Sequence, residues 1–197
     1  MASKKVKKEI RDWAIFAGVL LTLYLTGLHT DVAAFAQRIV LATGIANPKT
    51  EVASDAGKTK AVYDFTLDKL AGGTLDFAKL EGKVVFINFW ATWCPPCVAE
   101  MPGIQRLYDK YKDNPEIAFV MISLDSKRSK AEKFIAKKEF TLPVYFPNAS
   151  RIPKVYESKG IPTTFVLDKE GYIAYKKVGM ANYDASGFVE FMEKQLQ

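Results

Sequence analysis

The feature that most constrains the fold is a buried-strand pattern that leads directly into two closely spaced cysteines. Residues 83–90 read KVVFINFW, a run of β-branched and aromatic side chains that is typical of a strand buried on both faces. Cys94 and Cys97 follow with two prolines between them, and apolar residues recur at helical spacing from Pro95 to Tyr111. Prolines suit the first turn of a helix, where no backbone donor is needed. The sequence therefore predicts a strand, a Cys-Pro-Pro-Cys turn and a helix.

Strand and helix patterns alternate through the rest of the chain from residue 61 onward. Strand patterns are present at residues 62–67, 74–77, 117–124, 143–146, 163–167 and 172–178, and helical patterns at 129–139, 151–158 and 184–196. A kink is expected in the first of the helices, because Pro102 lacks the donor that a helix interior requires. This order predicts an α/β fold in which a mixed central sheet is flanked by helices.

The cysteine and histidine counts limit the chemistry that the chain can perform. Two cysteines and one histidine in 197 residues are too few for a disulfide scaffold or for a four-ligand zinc site of Cys and His alone. We therefore expect neither a metal nor a bound cofactor. The chemistry is expected to come from the two thiols, from carboxylates or from backbone groups.

The two cysteines are well placed for thiol–disulfide exchange. Both lie at a predicted helix N-terminus, where free N–H groups and the helix dipole stabilise a thiolate. Cys94, expected to be the more exposed, would attack a disulfide, and Cys97 would then resolve the mixed disulfide. Two alternatives are a structural disulfide, whose tiny loop would stabilise the chain little, and half of a zinc site completed by a second chain.

Several motifs in order resemble one known family. The stretch 89–97, FWATWCPPC, followed by Glu100-Met101-Pro102, resembles the thioredoxin fold, and more specifically the membrane-anchored TlpA/ResA-like branch of thiol–disulfide oxidoreductases. Residues 160–165, GIPTTF, are similar to the family's cis-proline loop, and residues 168–173 to its hairpin. The resemblance extends over about residues 61–195.

The resemblance implies a role for each matching residue around the cysteines. Cys94 matches the attacking thiol and Cys97 the resolving thiol. Pro162 matches the cis-proline, which leaves the Ile161 backbone free to pair with an extended substrate segment. The substrate-binding surface is expected to comprise Trp93, Pro95, Pro96, Ile161 and Pro162.

Glu100 matches an acidic residue that this branch carries three positions after the second cysteine. When ionised, a partly buried carboxylate near the thiols raises their pKa values, and it can relay protons. The alternative is an acid that merely complements the dipole of the first helical turn. Asn88 stands where thioredoxin has a buried aspartate, and an amide cannot shuttle a proton. The branch commonly has Asn there, so the proton relay is assigned to Glu100.

The N-terminal region carries a membrane-insertion pattern. Residues 1–12 have a net charge of +3, and residues 13–28 carry no charge. We interpret residues 13–30 as a transmembrane anchor with a cytoplasmic basic flank, although 16 residues span only about 24 Å of a ~30 Å hydrocarbon core. One alternative is a cleaved signal peptide with its site near Ala36, which would release the domain to the periplasm. The other is a buried helix of a soluble core.

Residues 31–60 are predicted to be a juxtamembrane helix and a linker, before a thioredoxin-like domain at 61–197. Within 31–43, apolar residues recur at helical spacing, with Thr30 or Asp31 as the expected cap and Gly44 as the expected end. This helix is interpreted as interfacial, as an outer continuation of the anchor or as a partner-helix surface. His29 is interpreted as an interfacial polar residue rather than a ligand. Residues 47–60 have almost no large apolar side chain and predict a tether.

The two spacer residues favour a reducing role. Strongly oxidising relatives place a histidine between the cysteines, whereas Pro95 and Pro96 supply neither charge nor N–H donors. The dithiol is therefore predicted to reduce disulfides of exported proteins, with apo-cytochrome c as one candidate by resemblance. A membrane electron donor is then the expected partner for re-reduction. Nucleic acid is not, because half of the net charge of +6 lies in residues 1–12.

The same fold also supports two alternative functions. A peroxiredoxin-like peroxide reductase would need a Thr three residues before its cysteine, where this chain has Ala91. A non-enzymatic binding or chaperone module of the same fold would show no thiol exchange.

Overall fold

The sheet and helices that carry the cysteines are seen in a computed structural model that describes residues 2–26, 28–42, 59–149 and 151–197. The strands are β1 (Thr66–Lys69), β2 (Thr74–Asp76), β3 (Val84–Trp90), β4 (Ile117–Ser123), β5 (Val144–Pro147), β6 (Thr163–Leu167) and β7 (Ile173–Val178). The α-helices are α1 (Ala2–Thr26), α2 (Leu28–Ala42), α3 (Pro95–Tyr111), α4 (Arg128–Lys137) and α5 (Ser186–Gln195). Their arrangement is the α/β fold that the sequence predicted.

The seven strands form one mixed sheet in the order β2-β1-β5-β4-β3-β6-β7. β3 lies inside it, parallel to β4 and antiparallel to β6, and all seven of its residues are buried. Because side chains alternate along a strand, Phe86 and Trp90 enter one hydrophobic core with α3, whereas Val85 and Ile87 enter a second core on the other face. β3 is therefore held between two packed layers. The cysteine turn follows its last residue, at the C-terminal end of an interior strand.

Some element bounds differ from the prediction. α3 spans the predicted 95–111 and remains one helix through Pro102. The first strand begins at Thr66 rather than at 62, because residues 61–65 make only isolated backbone hydrogen bonds, such as that from the Ala61 N–H to the Gly171 carbonyl oxygen, and no ladder. The helix predicted at 151–158 shrinks to a 3-10 turn at Lys154–Tyr156, which Pro153 precedes.

The N-terminal residues form two helices. α1 begins in the basic flank, and its described side chains are almost all exposed, whereas α2 packs on α3. Over the described residues, no helix has both the length and the apolar character that crossing a membrane requires. The anchor at 13–30 stays a prediction. The capping role of Thr30 or Asp31 is wrong, because α2 already begins at Leu28.

Parts of the predicted N-terminal organisation lie outside the described residues. These are the side chain of His29, the helix end at Gly44 and residues 47–58 of the tether. The domain boundaries at 12, 30 and 60 stay predictions.

Candidate active site

Cys94 and Cys97 are joined in a disulfide at the start of α3. The S–S distance is 2.09 Å and the two Cα atoms are 5.3 Å apart. Cys94 is the N-cap residue, the two prolines occupy the first positions of the helix, and the Cys97 N–H donates to the Cys94 Sγ at 3.3 Å. The first sulfur thus receives a backbone donor at the positive end of the helix dipole, which favours a thiolate once the disulfide is reduced.

The cis-proline loop faces this disulfide. The Ile161–Pro162 peptide bond is cis, as the resemblance implied. The Ile161 carbonyl oxygen lies 3.8 Å from the Cys94 Sγ. Cys94 is 4% exposed and Cys97 is fully buried, so the first cysteine is the more accessible of the two, in the predicted order. An incoming disulfide therefore has to approach from the side of Cys94 and Ile161.

An apolar groove of about 390 Å³ opens beside the disulfide. Its walls include Phe89, Trp93, Leu124, Ile152, Tyr156 and Ile161. Trp93 and Leu124 are 57% and 41% exposed, which is unusual for such large apolar side chains. Of the residues predicted to bind substrate, Trp93 and Ile161 line this groove, whereas Pro95 and Pro96 are half-buried in the first helical turn and do not.

Glu100 lies one turn after Cys97 and is buried. Its Oε1 accepts a hydrogen bond from the Asn88 Nδ2 at 2.8 Å, and its Oε2 accepts one from the Ala181 N–H at 3.2 Å. The Asn88 Nδ2 also donates to the Thr164 Oγ1 at 2.9 Å, two residues after the cis-proline. The carboxyl therefore connects β3, α3, β6 and the segment after β7 behind the cysteines.

Burial raises the pKa of the Glu100 carboxyl to about 8, although its hydrogen bonds with Asn88 and Ala181 act in the opposite direction. This is the perturbed, near-neutral value that suits a group exchanging protons at physiological pH. Within residues 59–149 and 151–197, no direct hydrogen bond joins Glu100 to either sulfur. A proton relay would therefore need movement or a water between them.

Sequence and structural comparisons point to one family. Residues 59–176 match the model of the AhpC/TSA family. The thiol-disulfide oxidoreductase ResA of Bacillus cereus is 32% identical over 61% of this chain and 69% of its own length, and ResA of Halalkalibacterium halodurans is 30% identical over 66% and 72%.

Two solved structures agree with these relatives. StoA from Bacillus subtilis has a TM-score of 0.55 at 26% identity, over 70% of this chain and 99% of that one. A thiol:disulfide interchange protein of the thioredoxin family from Chlorobium tepidum has a TM-score of 0.57 at 26% identity, over 68% and 95%. The chain belongs to the AhpC/TSA family. Within it, the chain is a thiol–disulfide oxidoreductase of the ResA type.

The ResA-type site of this chain includes a buried side chain, Asp125, that the sequence analysis did not identify. The Asp125 carboxylate accepts hydrogen bonds from the Thr92 N–H at 3.0 Å and the Thr92 Oγ1 at 2.6 Å. It also accepts one from the Ser123 Oγ at 3.0 Å. A buried charge at the end of β4 thus fixes the loop two residues before Cys94. The available signal was a polar residue directly after a buried strand.

A second cavity, of about 370 Å³, adjoins the ResA-type site from behind. Glu100 and Ala99 of α3 line one wall, and Arg38 and Leu41 of α2 line another. The cavity thus reaches the buried carboxyl of Glu100, and it shares no lining residue with the apolar groove. Among the described residues, no three His, Cys, Asp or Glu side chains are grouped as metal ligands.

Proposed function

We propose that this chain is an extracytoplasmic reductant of disulfides in exported proteins. The observation that carries the proposal is the Cys94–Cys97 pair at the start of α3, with Pro95 and Pro96 as the only spacer. The spacer carries no charge and no N–H donor that would stabilise the reduced form. Relatives named as thiol-disulfide oxidoreductases support the chemistry.

In the proposed cycle, the reduced Cys94 thiolate attacks one sulfur of a substrate disulfide. A mixed disulfide forms and the second substrate sulfur leaves as a thiolate. The Cys97 thiolate then attacks the Cys94 sulfur, which closes the disulfide and releases the substrate as a dithiol. Two electrons and two protons pass to the substrate, and a membrane electron donor is proposed to return the enzyme to its dithiol form.

Glu100 is proposed to handle the proton of Cys97. With a pKa raised to about 8, the carboxyl changes its protonation state near neutral pH. The Cys97 thiol has to lose its proton before it can attack, and the buried carboxyl is on the same helix, one turn away. The cavity behind α3 supports exchange of that proton with solvent.

The groove beside Cys94 supports binding of an extended, partly apolar segment. The Ile161 carbonyl offers a backbone acceptor next to the sulfur, and Trp93 and Leu124 offer exposed apolar contact. A segment of an unfolded exported protein has these properties. By resemblance, apo-cytochrome c before haem attachment is one such substrate.

The location is proposed from the N-terminal pattern. The basic flank at 1–12 and the uncharged run at 13–28 support a single-pass membrane protein with its catalytic domain outside the cytoplasm. Secretion to the periplasm after cleavage near Ala36 is the alternative. N-terminal sequencing of the mature protein separates them, because cleavage would make Gln37 the first residue.

Reduction of insulin by the detergent-solubilised full chain tests the activity. The wild type should reduce insulin with dithiothreitol as electron source, and Cys94→Ser should abolish the reaction. Cys97→Ser should accumulate mixed disulfides through Cys94. A reduction potential below about −200 mV supports the reducing direction, whereas one near the ~−120 mV of DsbA contradicts it. Consumption of peroxide faster than of insulin would instead support a peroxide reductase.

A further inference from the structure

The second helix of the chain has two different faces. Ala34, Arg38 and Leu41 lie on the side that packs against the catalytic domain, where Ala34 and Leu41 join a cluster with Val98 and Ala99 of α3. The Arg38 Nη2 donates to the Val98 carbonyl oxygen at 3.4 Å, immediately after Cys97 in sequence. α2 is therefore attached to the first turns of the cysteine-bearing helix.

The opposite face of α2 is apolar and exposed. Val32, Phe35 and Ile39 are 56%, 65% and 57% exposed, and the exposed Ala36 lies between them. These positions are three or four residues apart, so they form one stripe along the helix. A stripe of three large apolar side chains on a helix whose other side is already packed needs a second partner.

The preceding helix indicates what this partner is. α1 ends at Thr26, two residues before α2 begins. Its exposed side chains include Ile10, Trp13, Phe16, Leu21 and Leu25, which point in several directions around the helix. The uncharged part of α1, residues 13–26, suits contact with lipid, and the basic residues before it complement anionic headgroups. The stripe on α2 continues this apolar surface toward the catalytic domain.

We propose that the stripe formed by Val32, Phe35, Ala36 and Ile39 lies against the lipid bilayer surface, while the opposite face of α2 holds α3. This inference rests on the membrane location in the proposed function and deepens it. The packed face of α2 contacts Val98 and Ala99, and a helix is about 10 Å across, so the start of α3 lies roughly one helix diameter from the lipid. The Cys94–Cys97 pair is thereby kept close to the plane in which a membrane electron donor works.

Site-specific photo-crosslinking of the full chain tests this placement. Phe35 is replaced by p-benzoylphenylalanine, and the protein is irradiated in membrane vesicles from a bacterial host that produces it. The matched control places the same group at Leu41, on the packed face of the same helix and 8% exposed. Insulin reduction by each variant, after solubilisation, reports whether the active site is intact.

The expected result is a phospholipid adduct at position 35 and an intramolecular adduct with α3 at position 41, both identified by mass spectrometry. An adduct of position 35 with another protein, or with a second copy of this chain, would overturn the inference. The inference would also be overturned if p-benzoylphenylalanine at position 35 formed no adduct while the same group at position 41 did. If insulin reduction fails in the wild type as well, the proposed function fails, independently of where position 35 lies.

Discussion

The Asn88 Nδ2 donates a hydrogen bond to the Glu100 Oε1 at 2.8 Å, in the buried layer behind the cysteine pair. By resemblance, Asn88 stands where thioredoxin has an aspartate. The buried carboxyl that accepts its hydrogen bond belongs to α3 rather than to β3. This arrangement leads to predictions for both residues.

Glu100→Gln should remove a pH dependence of stability. The folded-state pKa of about 8 lies above the ordinary value of 4.5, so the folded protein holds one more proton than the unfolded chain between these pH values. The free energy of unfolding of the wild type should fall by about 1.4 kcal/mol per pH unit across this window, on the order of 5 kcal/mol in total. Urea unfolding of the oxidised protein measures this slope.

The slope, rather than the absolute stability, decides this prediction. Glutamine keeps an acceptor for Asn88 but can present its amide nitrogen to the Ala181 N–H, so some stability is lost at every pH. Glu170→Gln, at an exposed turn, is the control and should keep the wild-type slope. A Glu100→Gln slope equal to that of the wild type would show that the buried carboxyl does not titrate in this window.

Asn88→Asp should create two buried carboxyls that share one proton. The new carboxyl would lie at hydrogen-bond distance from Glu100, and two like charges at this distance cannot both ionise without a large cost. Up to about pH 8 the variant should lose stability with the wild-type slope, because the pair holds one proton there as Glu100 does alone. Above pH 8, where the wild type levels off, the variant should go on losing stability, because the second charge opposes release of the shared proton. Asn88→Ala removes the same hydrogen bonds without adding a charge, so it should be less stable at every pH but lose less stability above pH 8 than Asn88→Asp. Equal losses above pH 8 in the two variants would contradict the prediction.

The local part of the site follows from sequence and the non-local part does not. The bounds of α3 and the position of both cysteines were predictable, because strand and helix patterns meet at the motif. The alternation along β3 even places Asn88 on the same side as Phe86 and Trp90, toward α3. In contrast, the Ala181 N–H reaches Glu100 from 81 residues away, and no periodicity encodes such a contact. The docking of Arg38 on Val98, across 60 residues, was missed for the same reason.

Trp93→Ala together with Leu124→Ser should impair reduction of protein disulfides but not of small ones. Both side chains are exposed walls of the groove beside Cys94, so their loss removes apolar contact with a substrate chain. We expect kcat/KM for insulin to fall about tenfold, corresponding to ~1.4 kcal/mol, whereas that for oxidised glutathione stays within about twofold. Phe35→Ser, which removes an equally exposed aromatic from α2, is the control in detergent. An equal loss of kcat/KM for both substrates would show that these side chains affect the reactivity of the thiols rather than the binding of the protein substrate.

Asp125→Ala should loosen the loop that leads into Cys94. The substitution leaves the Thr92 N–H without its acceptor, and the Ser123 hydroxyl loses its charged partner as well. Loss of such charge-assisted bonds should lower the free energy of unfolding by about 2–3 kcal/mol. Because Cys94 follows Thr92 by two residues, mixed-disulfide formation should also slow by about tenfold, as expected when a reacting group is displaced.

The conservative variant separates positioning from plain stability. Asp125→Asn keeps one acceptor for Thr92 and should restore most of the rate of mixed-disulfide formation, measured by stopped-flow mixing of the reduced protein with an aromatic disulfide. Ile135→Val, a core change in α4 that should cost about 1 kcal/mol, is the control for general destabilisation and should leave the rate unchanged. If Asp125→Ala reacts as fast as the wild type, the carboxylate stabilises the fold without orienting Cys94.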